Sequence, residues 1–129
     1  MKNLLLALVV LAGSGLALAQ SADIEGSWGA QQSDNGFLFD VTFTISHDST
    51  SLTNVCTHDG VSVTAHATVP SSYDGQTLNF LGSAQDHESL NGLNCNIDIH
   101  MDSINYSIQG NVMTVSHAGS TETYMLTRR

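Results

Sequence analysis

Four polar residues stand at every second position of one short stretch: Asn96, Asp98, His100 and Asp102. On an extended chain they share a face, and two carboxylates, an imidazole and an amide are donors that a hard or borderline cation accepts. The wet face of a half-buried strand has the same composition, because alternation alone puts polar side chains there. The cluster Asp86-His87-Glu88 admits the same two readings. None of the six histidines forms a His-x-His or His-x-x-x-His pair, the spacings that hold a metal from a single element. No metal site and no cofactor is expected.

Covalent catalysis finds less support still. There is no Gly-x-Ser-x-Gly, and serines, histidines and aspartates are scattered too evenly to single out a triad. Glycoside hydrolysis needs two acids converging on a cleft, and no spacing selects such a pair. Aromatic residues are only 6% of the chain, too few for a carbohydrate platform. Asn105-Tyr106-Ser107 fits a glycosylation acceptor, a pattern too short to decide anything inside a strand. The expectation is a protein that is not an enzyme.

The two cysteines, Cys56 and Cys95, take their meaning from the N-terminus. Lys2 precedes an apolar run over 4–11, and Ala17-Leu18-Ala19 offers the small residues a signal peptidase reads, so cleavage is expected before Gln20. Residues 1–19 are then a signal peptide and 20–129 a single secreted or periplasmic domain. The run is too short for a permanent membrane span, so no membrane insertion is expected. In an oxidising compartment two cysteines allow one intramolecular pairing, Cys56 with Cys95. Closing a loop of about 40 residues stabilises a fold by roughly 3–4 kcal/mol. A thiolate metal pair would need CxxC spacing, which is absent.

Without Lys2, Arg128 and Arg129 are two cations against twelve carboxylates, a net charge of −10. So acidic a surface repels phosphate backbones, which excludes nucleic acid as a partner. It also favours a soluble monomer and suits a cationic partner.

The elements that position these residues come from period-two alternation. Phe37, Phe39, Val41, Phe43 and Ile45 make one face of a strand whose other face is Leu38, Asp40, Thr42, Thr44 and Ser46. A strand over 52–58 carries Cys56, and Asp59-Gly60 predicts a hairpin turn into Val61, Val63, Ala65, Ala67 and Val69. These inward residues are small, so a neighbouring element must come close or leave space. Residues 70–75 read as a loop, 77–82 as a short strand, and 83–94, without a clear period, as the longest loop. Cys95 to Met101, Ile104 to Ile108 and Met113 with Val115 alternate again, with a turn at Gly110-Asn111. Ala118-Gly119-Ser120 turns the chain into a last strand over 122–128. The prediction is an all-β fold, a single antiparallel up-and-down meander of eight to nine strands. Closure into a barrel is expected because an open meander leaves two exposed edges.

The chain ends carry a further pattern. Arg128 follows Tyr124 and Leu126 at period two and should share their face, lying across the Trp28 ring to close one end of the barrel. Ile24-Glu25-Gly26-Ser27-Trp28 resembles the Gly-x-Trp opening of lipocalins and related calycin barrels, in which an arginine from the far end of the chain stands against that tryptophan. Gly26, Trp28 and Arg128 match those positions. The chain is shorter than a typical lipocalin and gives no sign of the helix that follows the barrel there. The resemblance therefore implies architecture more than ligand.

An eight-stranded barrel is just wide enough to be filled by its own side chains or to hold one small ligand. The small row Ala65 and Ala67, beside Phe39, Phe43, Phe80 and Tyr106, marks where a small apolar ligand would sit, entered from the end away from Trp28. Large side chains from across the barrel would otherwise fill that gap. The alternative is a rigid scaffold that binds another protein. In that reading the chain resembles small exported bacterial protease inhibitors, disulfide-closed barrels whose inhibitory arm precedes the first strand; residues 20–23 would be that arm. An apolar cavity above about 300 Å³ favours the ligand; a filled interior favours the scaffold.

Overall fold

A computed structural model describes residues 24–129; the expected signal peptide and the 20–23 arm lie outside them. Ten strands follow in order: β1 Gly26–Asp34, β2 Phe37–Ile45, β3 Ser49–His58, β4 Val61–Tyr73, β5 Thr77–Phe80, β6 Ala84–Leu90, β7 Leu93–Ile99, β8 Ser103–Gln109, β9 Val112–His117 and β10 Tyr124–Arg128. Eight of them close an antiparallel barrel in the order β1-β10-β9-β8-β5-β4-β3-β2, and β6 with β7 forms a separate hairpin. The meander is thus interrupted once, between β5 and β8.

Turn chemistry sets the registers. Asn35-Gly36, Asp59-Gly60 and Asn91-Gly92 each have positive φ at both residues, the conformation that a two-residue hairpin requires. They join β1 to β2, β3 to β4 and β6 to β7.

Two expectations need correction. Residues 83–94 are not a loop: they hold β6, the Asn91-Gly92 turn and the start of β7. Their polar composition hid the strand because most of β6 faces solvent on both sides. Pro70 does not end its strand either; β4 runs on to Tyr73. Pro70 stands opposite Ser49, the first residue of β3, and its carbonyl accepts a hydrogen bond from the Leu81 amide at 2.8 Å. A residue without an N–H is tolerated at the limit of a ladder.

The core divides in two. Trp28, Ile45, Leu78, Tyr106, Ile108 and Met113 are among the buried residues that fill the barrel. Cys56, Val63, Ala65, Ala67 and Val69 of β3 and β4 form a second cluster with Leu93, Cys95, Ile97 and Ile99 of β7. Register places both clusters on one face of the sheet, since Trp28 is opposite Phe43, Phe43 opposite Leu52, and Leu52 opposite Ala67. The hairpin is therefore a second layer on the inner face of the long strands, and it supplies the bulk that the alanines leave out. The Cys56–Cys95 disulfide, with Cα atoms 5.7 Å apart, fixes it there.

Candidate functional site

One end of the barrel is sealed by the chain ends. Trp28 of β1 and Arg128 of β10 are register partners, and the guanidinium lies 4.0 Å from the centroid of the indole ring. The indole is fully buried and donates a hydrogen bond to the Ile24 carbonyl at 2.9 Å, and Arg128 donates to the Glu25 carbonyl at 3.3 Å. Gly26 has φ 123°, and a Cβ there would stand 3.2 Å from the Arg128 guanidinium. The backbone angle calls for glycine, and a Cβ would in addition press the guanidinium back by a few tenths of an ångström. Glu25 also accepts a hydrogen bond from the Tyr73 hydroxyl, which raises the pKa of that phenol. On the outer wall Arg129 crosses Gly29 to reach Asp40 at 2.6 Å and Thr42 at 2.9 Å.

The other end is open, and register explains why. β10 pairs with β1 only at Trp28 and Gly29, so from Ala30 onward the two strands diverge. A cleft of about 410 Å³ lies there, between the barrel mouth and the end of the hairpin. Its floor is apolar, with Phe43, Leu52, Phe80, Ile104, Val115 and Leu126, and Ala30 and Ile99 stand at its margin. Its lip is polar and holds Asp98, His100, Asp102, His117 and Tyr124.

The expected ligand set divides between these regions. Phe43 and Phe80 line the cleft. Phe39, Ala65 and Ala67 stand beneath the hairpin, where β7 occupies the space that the small side chains leave. Tyr106 is buried in the barrel core, and burial raises the pKa of its phenol. Leu52, Ile104, Val115 and Leu126 were readable as inward positions, but nothing in the sequence marked them as the ones left uncovered.

The polar row is also divided. Asn96, Asp98 and His100 share the exposed side of β7 and its end, whereas Asp102 lies past the strand. Asp98 meets the His87 imidazole at 3.1 Å and Asp102 meets that of His117 at 3.3 Å. Asp86 accepts the His66 backbone N–H at 2.8 Å, on the side of β4 away from β3, where β5 pairs only with Ser71–Tyr73. A side-chain hydrogen bond with Glu88 lowers the Asp86 pKa and raises that of Glu88. Among the described residues no three His, Cys, Asp or Glu side chains converge as they would to hold a metal ion. No helix among them is long and apolar enough to cross a membrane.

Compared with known proteins, the chain matches no family model, no curated protein and no solved structure.

Proposed function

We propose that this is an exported, non-catalytic binding barrel of calycin type that carries one small apolar molecule in the cleft at its open end. The observation behind this reading is the cleft itself, about 410 Å³ with an apolar floor. That volume falls within the roughly 300–1,000 Å³ of pockets that take small ligands. The calycin comparison draws on the Gly26, Trp28 and Arg128 contacts at the sealed end. Export accords with the disulfide and with the signal-like segment over 1–19. In the competing scaffold reading the contacts belong to the loops or to an arm at 20–23, and a filled interior would favour it.

Titration with the neutral probe N-phenyl-1-naphthylamine tests the proposal. Saturable binding to a single site is expected, and Ala30→Trp, which fills the cleft from β1, should abolish it while a cooperative thermal melt persists. No saturable binding to the wild-type protein would contradict the proposal. So would undiminished binding to Ala30→Trp.

A further inference from the structure

The cleft is apolar at its floor and acidic at its lip, and this asymmetry selects a class of occupant. Asp98 and Asp102 line it with side chains 42% and 54% exposed. Tyr124 lines it with an exposed ring, and its hydroxyl donates to Glu122 Oε2 at 3.0 Å. Each aspartate meets an imidazole, His87 at 3.1 Å from Asp98 and His117 at 3.3 Å from Asp102, and no guanidinium or ammonium. Among the described residues the only Lys or Arg are Arg128 and Arg129, and neither lines the cleft. Arg128 lies over Trp28, and Arg129 reaches Asp40 and Thr42 on the outer wall. A carboxylate head would meet no Lys or Arg at this lip, only the imidazoles of His100 and His117, the second already set against Asp102. An ammonium would meet two carboxylates and an aromatic ring, the groups that attract an organic cation.

We infer that the occupant is a cationic amphiphile, an amine whose apolar body lies on Phe43, Leu52 and Phe80 and whose ammonium rests among Asp98, Asp102 and Tyr124. This rests on the cleft being the ligand site. Because the lip is half-exposed, its charges confer selectivity more than affinity.

Displacement of N-phenyl-1-naphthylamine by decylamine, decanol and decanoate, each below its micellar concentration, tests the inference. Decylamine should act at a concentration about tenfold below that of decanol, as two exposed ion pairs allow, with decanoate weakest. In the double variant Asp98→Asn/Asp102→Asn, checked for an unchanged melt, the advantage of the amine should vanish while decanol displaces as before. Asp34→Asn/Asp48→Asn removes the same charge away from the cleft and should keep the preference. Equal displacement by the three, or a preference that survives Asp98→Asn/Asp102→Asn, overturns the head-group inference and leaves the cleft standing. If neither the probe nor any of the three binds, both proposals fall.

Discussion

The barrel core and the layer beneath the β6–β7 hairpin share the long strands β2 and β4, yet they are closed by different means. The barrel is completed by its own chain ends, where a half-buried arginine covers a fully buried indole. The second cluster is completed by an inserted hairpin and held by a covalent bond. The difference follows from side-chain size. Around Trp28 the strands carry residues large enough to meet at the barrel axis. Opposite Ala65 and Ala67 they cannot, and close packing requires another layer. At the barrel mouth, where β1 leaves β10, inward-facing apolar surface is left open.

The sharpest way to break this contrast is at the plug. Trp28→Ala should destabilise the fold by roughly 3–5 kcal/mol, and Arg128→Ala by about 1–2 kcal/mol through loss of the cation–aromatic contact. Thermal melts of the single and double variants measure the coupling, and strictly additive losses would mean that the two side chains do not act together. At the other cluster, Cys56→Ser/Cys95→Ser should cost roughly 3–4 kcal/mol. Its effect on dynamics should be local: amide exchange should accelerate in β6 and β7 well before β8 or β9. Uniform acceleration would show that the hairpin and the barrel are one cooperative unit.

Much of this division was legible in the residues. Five inward apolar positions from Phe37 to Ile45 specify β2, and the spacing of Arg128 from Tyr124 and Leu126 put the arginine on the tryptophan's side of the sheet. The row of small residues in β4 correctly implied either a close neighbour or a space. The identity of that neighbour was obscured because 83–94 lacks apolar alternation, although Asn91-Gly92 between Leu90 and Leu93 is a strong hairpin signal. Reading that dipeptide as a turn would have paired β6 with β7 and moved Ala65 and Ala67 out of any cavity. The cleft was harder to foresee. It depends on where β1 and β10 stop pairing, which no local pattern marks.

Methyl chemical-shift mapping during titration with N-phenyl-1-naphthylamine tests the central claim most directly, because both apolar regions contain methyl groups. The account predicts shifts at Leu52, Ile104, Val115 and Leu126, with Val63, Leu93 and Ile97 beneath the hairpin unmoved. Shifts centred on Val63, Leu93 and Ile97, or none at Val115 and Leu126, would contradict it.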